Sequence, residues 1–108
     1  MDYIYKAHVT DVYDGDTITV DIDLGLNTWI KDVKLRLARI DTPEIRGDER
    51  EEGLRVRDYV RDMILDKDVI IQTFKDKTGK YGRYIVEVLI DETNLNDHLL
   101  ENGMAEEY

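Results

Sequence analysis

Two short acidic segments and two arginines carry the residue types from which a site could be built. Asp14-Gly15-Asp16-Thr17 sets two carboxylates either side of a glycine, and Asp41-Thr42-Pro43-Glu44 sets two more three residues apart around a rigid proline. Hard cations such as Ca²⁺ want several oxygens at one point. Asp16 and Asp41 would supply two if the fold brings their strands together. Glu44 would then stand where it could orient or deprotonate a metal-associated water. Arg36 and Arg83 are the matching cations, because a guanidinium fork fits phosphate oxygens and stabilises charge that accumulates during phosphoryl transfer. Each feature also has a plainer reading. Asp-Gly serves a hairpin turn, Asp41 and Glu44 suit a solvated strand exit, and single surface arginines are common. The EF-hand pattern of alternating acids and a distal glutamate is not met. Gly79-Lys80 lacks the spacing of a phosphate-binding loop. Arg46-Gly47-Asp48 is a tripeptide of the kind that recurs by chance, and His8 and His98 are isolated, so no Ser-His-Asp arrangement is suggested.

These residues need strands to hold them. Ile18, Val20, Ile22 and Leu24 alternate with Thr17, Thr19, Asp21 and Asp23, which predicts a half-buried strand over 17–24. A β-like stretch over 3–13 precedes it, and the intervening Asp14-Gly15-Asp16 predicts a hairpin. A turn at Gly25-Leu26-Asn27 leads to a third strand over 29–40. There Val33, Leu35 and Leu37 fix an odd inward phase while Ile40 is apolar and even. One extra residue, a β-bulge near Ala38 or Arg39, would repair the phase and place Arg36 and Asp41 on one outer face. Thr42-Pro43 ends that strand, and a charged, glycine-containing loop follows over 44–53. Val56, Val60, Met63 and Ile64 recur at helical spacing, so 51–65 is predicted as a helix, with Glu51 and Glu52 suiting its dipole. Strands are expected over 68–74 and 84–90 about a polar turn over 75–80. A last helix carries Leu95, Leu99 and Leu100, capped by Thr93 or Asn94, with Gly103 at the left-handed position beyond it. The fold class expected is α+β: a five-stranded OB-fold barrel, one helix between strands three and four and one C-terminal helix.

The 108 residues make a single domain, 1–108. At 42% apolar and 37% charged the chain can build a core and is not disordered. There is no cysteine, so disulfide frameworks and thiolate metal sites are excluded. No apolar run approaches the roughly 18 residues that span a bilayer. No signal peptide is visible. These absences leave the location open between the cytoplasm and secretion after processing. The net charge of −10 argues against a general nucleic-acid coat. The charge is uneven, however. Residues 87–108 hold seven acids and no Lys or Arg, whereas residues 75–86 hold four bases and one acid.

Val12-Tyr13-Asp14-Gly15-Asp16-Thr17, Arg36-Leu37-Ala38-Arg39-Ile40-Asp41-Thr42-Pro43-Glu44, Lys80-Tyr81-Gly82-Arg83, Leu95-Asn96 and Gly103-Met104-Ala105 follow one another in an order and spacing that resemble the staphylococcal nuclease (thermonuclease-like) family, over almost the whole chain. The resemblance implies a Ca²⁺-dependent phosphodiesterase on an OB-type barrel. By position, Asp16 and Asp41 would ligate the ion through carboxylates and Thr42 through its carbonyl, with Asp14 behind them. Arg36 and Arg83 would hold the scissile phosphate, Glu44 would act on the attacking water, and Lys80 and Tyr81 would contact the nucleotide or a neighbouring phosphate. The family breaks the 5′ P–O bond, leaves 3′-phosphate ends and accepts DNA and RNA. The partner implied is a nucleic-acid substrate, with no membrane and a monomeric chain. The departures are the acidic net charge, Gly79 where an acid usually precedes Lys-Tyr-Gly-Arg, a distinct sequence over 44–53, and Tyr108 as the candidate aromatic at the C-terminal side. The alternatives are a non-catalytic nuclease-like OB module that binds single-stranded nucleic acid or a protein, and a calcium-stabilised structural domain.

Overall fold

The computed structural model describes residues 3–78 and 83–108. Strands β1 (Tyr3–Asp14) and β2 (Thr17–Asp23) form the hairpin that Asp14-Gly15-Asp16 predicts. Strand β3 (Trp29–Leu37) runs antiparallel to β2, and β4 is the short pair Ile40–Asp41. A 3₁₀ turn (Gly47–Glu49) leads into helix α1 (Arg50–Ile64). Then come β5 (Asp68–Thr78), β6 (Tyr84–Ile90), β7 (Thr93–Asn94), helix α2 (Leu95–Glu101) and β8 (Glu106–Glu107). Strand β1 pairs with β5, β5 with β6, and β3 closes onto β6 in parallel. The circuit β1-β2-β3-β6-β5 is thus a closed five-stranded mixed barrel with two helices, the OB-like architecture expected. Closure removes the sheet edges that would otherwise seek partners.

The core is one cluster. Val9, Val12, Ile18, Val20, Leu35, Leu37, Ile71, Val86 and Val88 point inward from the strands. Val56, Val60 and Ile64, four residues apart on α1, cover one side of it, and Leu95 and Leu99 of α2 another. Burying each such side chain contributes roughly 2 kcal/mol. Leu24, expected on the buried face, is exposed instead. Strand β2 stops at Asp23, and Gly25, Leu26 and Asn27 all take positive φ to turn the chain.

Two departures from strict alternation matter for the site. In β1, two consecutive exposed residues, Thr10 and Asp11, break the pattern, and the pairing with β2 shifts register between Val9 and Asp11. The inward phase therefore changes from odd (Ala7, Val9) to even (Val12, Asp14), which is why Asp14 is buried. In the third strand the ladder irregularity lies upstream of the predicted place. Val20 faces Val33 while Ile22 faces Ile30, so Lys31-Asp32 oppose Asp21 alone, and Asp32 takes φ 57°. The phase change between Leu37 and Ile40 is made differently from the expected bulge. The strand breaks at Ala38-Arg39, Arg39 adopts φ 68°, and Ile40–Asp41 pairs with β8. Other boundaries shift modestly. Strand β5 runs on to Thr78, into the segment read as a polar turn, whose last two residues lie outside the described ones, and α1 begins at Arg50, within the segment read as loop.

One buried side chain fastens the break. Asn96 of α2, fully buried, donates through Nδ2 to the Ala38 and Val86 carbonyls at 2.9 and 3.1 Å and accepts from the Val88 N–H at 3.1 Å. Asn94 caps the same helix by accepting from the Asp97 N–H at 3.0 Å. Asn96→Ala leaves the Ala38 carbonyl and the Val88 N–H without those partners in a dry interior, so unfolding free energy is expected to fall by about 3 kcal/mol. Urea titration followed by circular dichroism measures this.

Candidate active site

The site forms where the β1–β2 hairpin tip meets the end of β3 and the start of β4. Gly15 makes the meeting possible. It is not among the glycines with positive φ; it is needed for space. A Cβ there would lie 2.7 Å from Val56 Cγ1 and 2.8 Å from Thr42 Cγ2, closer than packed carbons approach. Arg61 of α1 steadies the same tip, donating to the Val12 carbonyl at 3.1 and 3.0 Å.

Asp16 is the centre of the arrangement and only 6% exposed. Its Oδ2 accepts from the Thr42 N–H at 3.1 Å and from Arg36 Nη2 at 3.4 Å. Its Oδ1 accepts from the Thr17 hydroxyl at 3.2 Å, and its carbonyl accepts from the Leu37 N–H at 2.9 Å. The same Arg36 Nη2 lies 3.6 Å from Asp41 Oδ1. Two carboxylates thus converge on one guanidinium, and Arg36 and Asp41 share a face as the phase argument required. Arg83 joins by one further link, donating from Nη1 to the Thr17 hydroxyl at 2.9 Å. Thr17 is a site residue that sequence reading missed. Its place in Asp-Gly-Asp-Thr was noted, but nothing in the pattern said that its hydroxyl would bridge Arg83 to Asp16.

The other positions vary. Asp14 stands behind Asp16 and accepts from its N–H at 3.1 Å. Glu44 is exposed, and among the described residues its carboxylate makes no hydrogen bond or ion pair. Its backbone is closely held, since its N–H donates to Glu49 Oε1 at 3.4 Å and a Cβ on Gly53 of α1 would overlap its carbonyl. Lys80 and Tyr81 lie outside the described residues. Tyr108 is close by: its N–H donates to the Arg39 carbonyl at 3.0 Å and its ring centroid lies 4.7 Å from the Arg36 guanidinium carbon. The two-residue pairing of β4 with β8 brings it there, and nothing in the alternation of the sequence announced so short a pair.

The electrostatics are unbalanced. Burial, then the adjoining Asp16 carboxylate, push Asp14 up to about 7. Burial, then the charge of Asp16, raise Asp41, against the pull of Arg36. Among the described residues no three carboxylates or imidazoles converge on one point. A cation here would be held by Asp16, Asp41, the Thr42 carbonyl and water, a hard-oxygen set that suits Ca²⁺. Two carboxylates sharing the Arg36 guanidinium fit such an ion. So does the buried Thr42 hydroxyl, which has no hydrogen-bond partner among the described residues.

The site is thus an OB-like barrel whose hairpin tip carries two carboxylates converging on one guanidinium, with a second guanidinium one link away. A sequence model of the staphylococcal nuclease homologue family matches residues 34–108, so the chain belongs to that family. It is 30% identical to an uncharacterized protein of Methanocaldococcus jannaschii, over 96% of this chain and 59% of that protein. It is 31% identical to an uncharacterized endonuclease of Haemophilus influenzae, over 94% of this chain and 52% of that one. The chain therefore spans a little over half the length of these relatives. Among the described residues no helix is long and apolar enough to cross a membrane.

Asp14 gives a pH prediction. In the unfolded chain an aspartate ionises near 3.8, whereas in the fold Asp14 keeps its proton to about 7. The native state holds an extra proton between those values, so this contribution to stability is present in acid and lost as pH rises towards neutrality. With EDTA present, the melting temperature of Asp14→Asn minus that of the wild type is expected to increase between about pH 4 and pH 8. Differential scanning fluorimetry across that range reads it.

Proposed function

We propose that this chain is a Ca²⁺-dependent nuclease that hydrolyses phosphodiester bonds of DNA, RNA or both by attack of an activated water, leaving 3′-phosphate ends. The observation that carries the reading is the convergence of Asp16 and Asp41 on Arg36 Nη2, at 3.4 and 3.6 Å, with Arg83 joined through Thr17. A module that bound nucleic acid without cutting it would have no need of the buried Asp16 carboxylate at that point, because charge is costly to bury unless it is used or paired. Family membership and the name of the Haemophilus relative support the same reading.

In this mechanism Arg36 and Arg83 hold the non-bridging oxygens of the scissile phosphate and stabilise the charge that grows there as water attacks phosphorus. Glu44, exposed and anchored only through its backbone, accepts the proton of the attacking water. Asp16 and Asp41 bear the ligating oxygens with the Thr42 carbonyl, and Asp14 fixes the Asp16 backbone behind them. Bound there, Ca²⁺ supplies positive charge that polarises the phosphate and orients the water. Lys80 and Tyr81 are assigned to contacts with the nucleotide or a neighbouring phosphate. The P–O5′ bond is the one that breaks.

The test is hydrolysis of single-stranded DNA and RNA with Ca²⁺ or with EDTA. Cleavage is expected with the ion only, and Arg36→Ala is expected to lower kcat by about 100-fold or more, the usual effect of removing one preorganised donor. Glu44→Gln is expected to lower kcat by a similar factor while leaving the affinity for a non-cleavable oligonucleotide within about twofold. Oligonucleotide binding without cleavage would move the chain to the non-catalytic module. Full activity in Glu44→Gln would remove Glu44 from water activation.

A further inference from the structure

Arg39 has no part in the reaction just described, yet it takes left-handed backbone beside the site. It takes φ 68° at the break between β3 and β4, a region that costs a residue with a Cβ about 1 kcal/mol or more. Its guanidinium is tied down on two elements. Nε and Nη2 grip the two oxygens of Glu87 at 2.9 and 2.7 Å, and Nη2 also reaches Asp97 Oδ1 at 2.7 Å. Glu87 is buried on β6, and Asp97 lies in the first turn of α2. Asn94 Nδ2 donates to the same Glu87 Oε1 at 3.1 Å. Flanking backbone is held as well: the Ala38 N–H donates to the Val86 carbonyl at 2.8 Å, and the Arg39 carbonyl accepts from Tyr108, whose ring covers Arg36.

Resting on the nuclease reading above, we infer that Arg39 is a positioning residue: by clamping the Leu37–Ile40 break onto Glu87 and Asp97, it sets the direction in which Asp41 leaves the barrel and so the distance between the Asp41 and Asp16 carboxylates. The chemistry suits the task. A bidentate guanidinium–carboxylate pair fixes orientation as well as distance, and the partner carboxylate lies in the barrel wall. Asp41 is two residues on, in a strand of two residues whose pairing with β8 is equally short. Neither of those short elements can hold a direction alone. The unfavourable backbone of Arg39 is kept in place by its side chain.

The test separates positioning from plain stability. Glycine accepts φ 68° without strain, so a loss in Arg39→Gly cannot come from the turn itself. The single variant strands the buried Glu87 charge and can unfold the chain, so Arg39→Gly/Glu87→Gln is made with it, leaving the Gln carbonyl to accept from Asn94. Val60→Ala, on the buried face of α1, serves as a control of lowered stability. Ca²⁺ affinity by calorimetry and kcat and KM on single-stranded DNA are measured well below each melting temperature. The double variant is expected to bind Ca²⁺ about tenfold more weakly and to lose about tenfold in kcat, as removal of the partners that orient metal ligands generally does. Val60→Ala is expected to match the wild type in both, and Arg39→Lys to recover part of the loss. A double variant within about twofold of the wild type in both quantities overturns the positioning role and leaves the nuclease reading intact. So does a Val60→Ala variant that loses as much. If the wild type binds Ca²⁺ but does not cut, the nuclease reading fails and Ca²⁺ affinity alone decides the role of Arg39. A wild type that neither binds nor cuts overturns both.

Discussion

Everything at the hairpin tip depends on the burial of one carboxylate. Asp16 is nearly sealed from water, and a charge in that position destabilises the fold unless its oxygens are satisfied. Its partners come from three parts of the chain: the Thr17 hydroxyl beside it, Arg36 at the end of β3, and the Thr42 N–H beyond β4. Satisfying Asp16 therefore brings β2, β3 and the exit of β4 to one place, and the residues of candidate function arrive with them. Gly15 is the steric condition for the same closure, because Thr42 could not approach over a side chain. Polar satisfaction and site assembly are one event here.

Much of this was legible in the sequence. The alternation Ile18-Val20-Ile22 and the Val56-Val60-Ile64 spacing gave the barrel wall and its helical cover, because both patterns report burial directly. The shared face of Arg36 and Asp41 also followed from phase alone. The device that produces it did not. A bulge and a two-residue break at a left-handed arginine repair the phase equally well, and choosing between them requires Glu87 and Asp97, which lie 48 and 58 residues away. The role of Gly15 was hidden for a similar reason. Turn geometry and close approach both call for glycine, and only the position of Thr42, 27 residues on, separates them. The link from Thr17 to Arg83 and the packing of Gly53 against Glu44 were missed because such contacts carry no periodic signal, whereas Tyr108 was named as a candidate aromatic without its contact to Arg36.

The distribution of charge bears on how the site can work. Besides Asp14, Asp16 and Asp41, the acids Glu49, Glu52 and Glu106 line a small cavity of about 110 Å³ with Asp41 and Thr42. Glu49 and Glu106 add to the forces that raise Asp41. In the described part of the site, Arg36 and Arg83 stand against this excess. A fold optimised only for stability would have replaced some of these acids, since like charges at short range destabilise it. Under the proposed function, a bound cation would offset this excess.

The same excess constrains recognition. A chain with net charge −10 repels a polyanion at long range, so on the proposed reading it gains nothing from electrostatic steering. Attraction must come at contact, where burial strengthens each charge–charge interaction and salt screens it less. The Arg36 side chain, 14% exposed, lies in such an environment. A guanidinium held between two carboxylates and under an aromatic ring is also preorganised, with little side-chain entropy left to lose when a phosphate arrives. The acidic body and the rigid basic centre are then complementary parts of one design. On the proposed reading, the body would suppress nonspecific adhesion along a strand, and the centre would reserve its affinity for the phosphate that fits.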